Sequence, residues 1–323
     1  MPAAIMKGCC VVTTVKRSVD TGGSSPFIRR LLRELPLHLY LLPAVVLVIL
    51  FSYVPMVGAV IAFQNFTVFK GWFNAPWIGL DNFRYVMEMP GFTQVLFNTV
   101  YISALKIIFS LAVPIVVALL LNEVESRRYK RALQTVMYMP HFMSWVILGG
   151  VVLDLLSSEG VVNSMIHMMG GETVYFLTDN RYFRSVLVIT EVWKTFGFNT
   201  IVYMAALTSI SPSLYEAAVI DGANRLKQTR HITLPGILPV IVLLATLRLG
   251  DILNAGFDQV YMLLNALVMD TGDIIDTLVF RMAFDQAQYS VATAVGMFKS
   301  AVSLILIAIS YFLVYRYADY RIF

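Results

Sequence analysis

Between two long apolar runs stands "SPSLYEAAVIDGANRLKQTRHITLPGILPV", Ser211–Val240, the most polar helix-forming stretch in a chain dominated by Val, Leu, Ile and Phe. Ser213 precedes Glu216 by three residues, the spacing of a capping box, and Ser211-Pro212 offers an alternative start one turn earlier. A short helix is therefore expected from about Pro212 to Asp221. Gly222 follows, with the backbone freedom a sharp turn needs. A second short helix should begin near Ala223, carry Arg225, Lys227 and Arg230 on its exposed sides and end before Pro235, with Pro239 marking the start of the next apolar run. The small side chains of Ala217 and Ala218 allow close approach by something else. An amphipathic connector facing lipid headgroups is the competing reading. Glu216 and Asp221 argue against it, because such a helix should not present carboxylates beside small residues.

The rest of the sequence places this element at a membrane. Of 323 residues, 58% are hydrophobic and only 14% charged, about half the charged share usual in soluble domains. A span needs about 20 mostly apolar residues, and six stretches qualify: roughly 38–63, 94–121, 135–156, 184–207, 237–257 and 291–315. An all-α, polytopic membrane protein follows, with six transmembrane helices and both termini on one side.

Lys and Arg gather on the cytoplasmic side of membrane proteins. The N-terminal arm, the 122–134 loop, the 208–236 segment and the tail together hold 15 basic residues, whereas the alternate loops 64–93, 157–184 and 258–290 hold five. The basic set is assigned to the cytoplasm, with both termini inside, and Ser211–Val240 then lies along the cytoplasmic surface. The outer loops hold ten of the twenty acidic residues, and Trp72 and Trp77 have the character of interfacial anchors. Short surface helices are expected in "SSEGVVNSMIHMMGG" and "MDTGDIIDTLVFRMAFDQAQYS". The apolar patch around Ala3–Val15 is too short to span and lacks a convincing cleavage site, so residues 1–36 read as a cytoplasmic arm. Cys9 and Cys10 are adjacent, a poor disulfide pair and too few for a zinc site. The four histidines, His38, His141, His167 and His231, show no metal or catalytic spacing.

"EAAVIDGANRLKQTRHITLP" resembles the EAA signature of permease subunits in binding-protein-dependent ABC importers. Glu216, Ala217, Ala218, Asp221, Gly222, Ala223, Ile232, Leu234 and Pro235 stand at that pattern's spacing. "EVWKTFGFNTIVYMAALTSISPSLYEAA", "GDILNAGFDQVYMLLN" and "YSVATAVGMFKSAVSLILI" are similar to the carbohydrate-importing branch that serves oligo- and polysaccharides. Leu226 departs from an aromatic common there. The resemblance implies a type I ABC importer permease fold over 37–323, with 211–236 as the coupling helix seated in an ATPase subunit. Glu216 would meet a basic residue there, Gly222 would permit the turn and the alanines close packing. The implied partners are a second homologous permease, giving a heterodimer, two ABC ATPase subunits, an extracytoplasmic solute-binding protein and membrane lipid. No nucleic acid is implied. The expected location is the bacterial cytoplasmic (inner) membrane.

No G-x-x-x-x-G-K-[ST] run occurs; "GMFKS" at 296–300 lacks the phosphate-cradling loop. No cofactor is expected on this chain, ATP and Mg belonging to the partner ATPase, and no catalytic or metal residue is assigned.

Ionisable groups in spans are costly and face partners or cavities. Lys106, Asp154, Glu191, Lys194, Arg248, Asp251 and Lys299 lie in or near the apolar stretches. Glu191 with Lys194, and Arg248 with Asp251, are each three apart and able to pair on one helix face. Internal pairing that merely makes the bundle tolerable is one reading. The other gives Lys106, Lys194, Arg248 and Lys299 to a basic lining for an acidic sugar chain, a uronate polymer such as alginate, with Trp193, Phe196 and Phe257 as rings that could stack on sugars. A secondary transporter, for which the EAA element would have no use, and a membrane-embedded glycan-processing enzyme, for which no convergent carboxylate or His site is visible, are the alternatives.

Overall fold

The structure, a computed structural model, describes residues 26–317, with side chains from Glu34 to Phe312 apart from positions 36 and 37. The Cys9-Cys10 pair, most of the arm and Arg321 lie outside the described residues. The chain forms two compact units that meet in sequence at Gly58 and Ala59. In the first, helix α1 (Pro26–Val48) continues through a π-helical turn, Ile49–Tyr53, into Val54–Met56. Every side chain from His38 to Val57 is exposed, which suits a helix whose surroundings are apolar on all sides.

The second unit is built on α2 (Phe92–Asn122) and α6 (Asn180–Thr208), which share its most extensive helix interface. Between them come α3 (Arg127–Tyr138), α4 (Trp145–Leu156) and α5 (Val161–Met168). After α6 come α7 (Pro212–Ile220), α8 (Arg225–Gln228), α9 (Leu234–Leu249), α10 (Phe257–Leu263), α11 (Ile275–Phe280) and α12 (Tyr289–Tyr317). Among the described residues there is no β-strand, only a bridge of Gln64 with Trp77.

Five helical stretches among the described residues are long and apolar enough to cross a membrane: His38–Phe63, Phe92–Asn122, Trp145–Met168, Arg225–Leu249 and Tyr289–Phe312. The remaining expected span, 184–207, lies within α6, which has 29 residues but carries Arg181, Arg184, Glu191 and Lys194. Its length suffices; its charges lower its apolarity.

Two expected helix boundaries are corrected. The stretch 135–156 is not one helix: α3 tightens into a 3₁₀ turn, Met139–Phe142, and the backbone turns extended at Met143. Pro140 removes a donor there, and Ser144 restarts the chain as the N-cap of α4, its side chain accepting from the Ile147 N–H. The stretch 237–257 ends early, at Leu249, and 250–256 is an irregular turn holding Gly250, Asn254 and Gly256, residues that favour turns over helix. Short helices do form in both stretches named above, Val161–Met168 and Ile275–Phe280, although the first falls within the membrane-length stretch Trp145–Met168 rather than apart from it.

Apolar burial earns little inside a bilayer, where lipid tails are as greasy as leucine, so helix association depends on close packing and polar ties. Both are present. Asn98, fully buried on α2, donates through Nδ2 to the Asp270 and Asp273 carbonyls at 3.0 and 3.1 Å and accepts from Arg184 Nη2 at 2.7 Å. Thr99 Oγ1 accepts from the Ile275 N–H at 2.9 Å, and Asp273 pairs with Arg281 at 2.6 Å. The Asn98 and Thr99 bonds fasten the 257–285 segment to α2, Arg184 Nε fastens it to α6 by donating to the Thr271 carbonyl at 3.1 Å, and the Asp273–Arg281 pair braces it internally. At the other end of the pair, Ala118, Tyr203, Leu207 and Ile237 form a compact cluster with α9.

Close packing is tightest at Gly197. A Cβ there would lie 2.0 Å from the Met137 carbonyl oxygen, a backbone atom of α3 that no rotamer change can move. Gly197→Ala is expected to force α3 and α6 apart and lower stability by about 1–3 kcal/mol, read as a lower midpoint in thermal unfolding of the purified protein; an unchanged midpoint would contradict this crossing.

Candidate functional site

Two places gather the residues singled out in the sequence. The first is the segment after α6. Helix α7 starts at Ser211 with Pro212 in its first turn, and no capping box forms: Ser213 bonds Ser211, Oγ to Oγ at 2.8 Å, and Glu216 is left exposed. Proline, whose missing N–H costs nothing in the first turn, decides between the two possible starts. The end of α7 is a Schellman motif. The Ala223 N–H reaches the Ala218 carbonyl at 2.8 Å and the Gly222 N–H reaches the Val219 carbonyl at 3.0 Å, with Gly222 left-handed at φ +74°. Asn224 then caps α8, its side chain accepting from the Lys227 N–H at 2.9 Å.

The second helix does not stop at Pro235, contrary to expectation. Arg225–Leu249 is continuous, because a π-turn at Thr229–Thr233 widens the helix and lets the Leu234 N–H reach back to the Thr229 carbonyl. Pro235 then occupies the first turn of α9. Tyr215 Oη bonds Thr233 Oγ1 at 3.0 Å and folds α7 back onto this turn, while Arg225 pairs with Glu123 at the end of α2. Glu216, Ala217, Asp221, Gly222 and Pro235 are exposed, and Ala218 and Ala223 partly covered. Around the turn Val219, Ile220 and Leu226 stand 63%, 86% and 77% exposed. A two-helix knob with an apolar tip thus projects from the bundle, tied by polar contacts to Glu123 just beyond α2 and to the π-turn that leads into α9.

The second place is a cavity of about 80 Å³ between α2, α6, the end of α9 and the 250–256 turn. Lys106, Glu191, Arg248 and Asp251 all line it, with Ser103, Ser110 and Asn254. Lys106 is buried and donates to the Ala255 carbonyl at 2.5 Å and to Gln259 Oε1. Gln259, fully buried on α10, donates onward to the Leu187 carbonyl at 2.8 Å and Thr190 Oγ1 at 2.7 Å. Among the described residues Ser103 Oγ is buried with no hydrogen-bond partner. Two cations and two carboxylates share the space, so the cavity is balanced in charge rather than basic.

The other candidates lie elsewhere. Lys194 sits 5.0 Å over the Trp145 ring rather than against Glu191, and Lys299 pairs with Asp276 at 2.5 Å. Neither Glu191 with Lys194 nor Arg248 with Asp251 forms an ion pair among the described residues; Asp251 Oδ1 instead accepts from Asn254 at 3.2 Å. Trp193 is exposed, Phe196 partly covered, and Phe257 stacks on Tyr261. Gln259, Asn98 and Arg184 organise this region and were missed in the sequence. Their signal was present: an amide or guanidinium in or beside apolar helices must find partners, since leaving one unpaired in a membrane is expensive.

Long apolar helices joined by a projecting two-helix element define an integral membrane protein with a structured polar connector between two of its long helices. The chain belongs to the family of binding-protein-dependent transport system inner membrane components, which matches residues 110–323. It is 43% identical over 295 residues to the polygalacturonan/rhamnogalacturonan transport system permease protein YteP of Bacillus subtilis strain 168, covering 91% of this chain and 92% of the relative. Its fold superposes, with a TM-score of 0.84 and 38% identity, on a chain of a bacterial ABC transporter that imports the acidic polysaccharide alginate, covering 90% of this chain and 99% of that one. A bacterial alginate ABC transporter in complex with a periplasmic protein carrying alginate pentasaccharide matches at a TM-score of 0.82 and 37% identity, over 89% of this chain and 96% of that one. The fold is that of a type I ABC importer permease, and the protein is a multi-pass inner membrane protein.

Proposed function

We propose that this chain is the permease subunit of an ATP-driven importer that carries an acidic oligo- or polysaccharide, of uronate type, across the cytoplasmic membrane of a bacterium. The observation that carries the reading is the knob built by α7 and α8. Its Schellman turn, exposed acidic and small residues and apolar tip make it a plug for a groove on another protein. Its ties to α2 and α9 would pass that protein's movement to the helices that wall the cavity. In this reading α6 is the sixth span, residues 1–36 are a cytoplasmic arm ahead of a permease domain over 37–323, and the knob faces the cytoplasm. Two ABC ATPase subunits supply ATP hydrolysis with Mg, a second homologous permease completes the pathway, and a solute-binding protein delivers the sugar from outside. The cargo of the polygalacturonan and alginate systems supports an anionic glycan. Arg248 is the cation at the cavity best placed to meet one, because Lys106 is already engaged by Ala255 and Gln259.

The test is uptake by the complete transporter in proteoliposomes, with binding protein and oligogalacturonate outside and ATP inside. ATP-dependent accumulation is expected, and Arg248→Gln should lower it roughly tenfold, the loss of one charge-assisted hydrogen bond. Uptake that persists without the ATPase would point to a secondary transporter, and glycan turnover by the isolated chain to an enzyme.

A further inference from the structure

Two helices outside the long apolar spans each carry an aromatic pair at i, i+4 spacing, Phe257 with Tyr261 on α10, and Phe280 at the end of α11 with Phe284 in the π-turn that follows. The pairs meet. Phe257 stacks on Tyr261 with centroids 5.3 Å apart and planes 26° from parallel; Phe280 lies 4.8 Å from Tyr261, 5.5 Å from Phe257 and 4.8 Å from Phe284. The opposite side of α10 is its anchored face, with Gln259 and Val260 fully buried. The aromatic side is left open: Tyr261 is 45% and Phe284 72% exposed. Phe257 and Phe280 are partly covered, and Tyr261 and Phe284 carry the open edge of the cluster.

Phe257 directly follows Ala255 and Gly256, which wall the polar cavity. The ring strip and the cavity are therefore successive parts of one stretch of chain, apolar ring faces first and hydrogen-bonding groups next. That succession matches the chemistry of a pyranose, whose C–H faces stack on aromatic rings while its hydroxyls and carboxylates point outward around the ring edge. We infer that Phe257, Tyr261, Phe280 and Phe284 form a stacking platform for successive sugar rings of a glycan chain on its way to the cavity. The inference rests on the glycan-permease reading and adds to it a site and a length preference: a platform of several rings grips a longer chain at more places than a shorter one.

The experiment uses the complete transporter in proteoliposomes and compares oligogalacturonate trimer with pentamer. Phe284→Leu and Tyr261→Leu are expected to lower kcat/KM for the pentamer roughly three- to tenfold each, the scale of one lost ring contact, and to affect the trimer less. Phe284→Trp should restore the pentamer. ATPase activity without sugar should stay unchanged in all three. Equal kcat/KM for wild type and both leucine variants on the pentamer would overturn the platform, as would equal losses for trimer and pentamer. Loss of the second permease on purification of the leucine variants would overturn it too, in favour of a subunit contact. If the wild type itself carries neither oligomer, the glycan reading fails; if it carries them and the variants are normal, only the platform fails.

Discussion

Replacing Gly222 with valine is expected to abolish uptake by the assembled transporter while leaving ATP hydrolysis by its ATPase partners measurable. Gly222 holds φ +74° at the C′ position of a Schellman motif, and a Cβ there would meet nothing within 4 Å. The obstacle is the backbone conformation itself. A left-handed residue with a Cβ costs roughly 1–2 kcal/mol, and branching at Cβ makes it worse. That sum cannot unfold a bundle this size. It can untwist the turn, breaking the Ala223-to-Ala218 and Gly222-to-Val219 hydrogen bonds and re-aiming Val219, Ile220 and Leu226 together. A plug whose tip points elsewhere no longer seats, so movement in the ATPase is lost before it reaches α9. Gly222→Asn separates conformation from size: asparagine tolerates the left-handed region and should keep a substantial share of uptake. Normal uptake by the valine variant would show that the knob does not carry the coupling.

The features that the sequence made legible were those decided by neighbours in the chain. Pro212 and Gly222 bound α7 within one residue of expectation, because a first-turn proline and a left-handed glycine act locally. Pro235 misled for the complementary reason. Its effect depends on the turn before it, and a π-turn at Thr229–Thr233 already displaces the hydrogen bonds that proline would break. The cavity was half legible. Cost alone marks Lys106, Glu191, Arg248 and Asp251 as groups that must have a destination in a membrane, and these do converge. Spacing along one helix could not tell which would converge. Glu191 and Lys194 are neighbours on α6, yet Lys194 finds Trp145 on α4 and Lys299 finds Asp276 on α11, partners 49 and 23 residues away in sequence. Gln259 escaped notice because it is uncharged, although it joins α2, α6 and α10 at one point.

That junction makes the second large prediction a cycle of variants rather than one. Gln259→Leu removes an acceptor from the buried Lys106 ammonium and leaves the Ala255 carbonyl as the one hydrogen-bond acceptor it retains among the described residues. It also strips the donors from the Leu187 carbonyl and from Thr190 Oγ1. A buried charged group that loses a hydrogen-bond partner costs about 1.5–3 kcal/mol. The single variant is therefore expected to assemble poorly and to lose most of its uptake. Lys106→Met removes the charge instead, keeps an unbranched chain of similar length and leaves Gln259 with its two donor bonds, so it should be the milder change. Joined to Gln259→Leu, it should recover about half or more of the stability that the leucine alone removes, since no unpaired ammonium remains. Thermal unfolding of the purified complex across wild type, both singles and the double measures the coupling. Strict additivity would mean that Lys106 and Gln259 act separately, and that the apolar clusters around Ile102 and Val260, rather than this polar junction, hold α10 against α2.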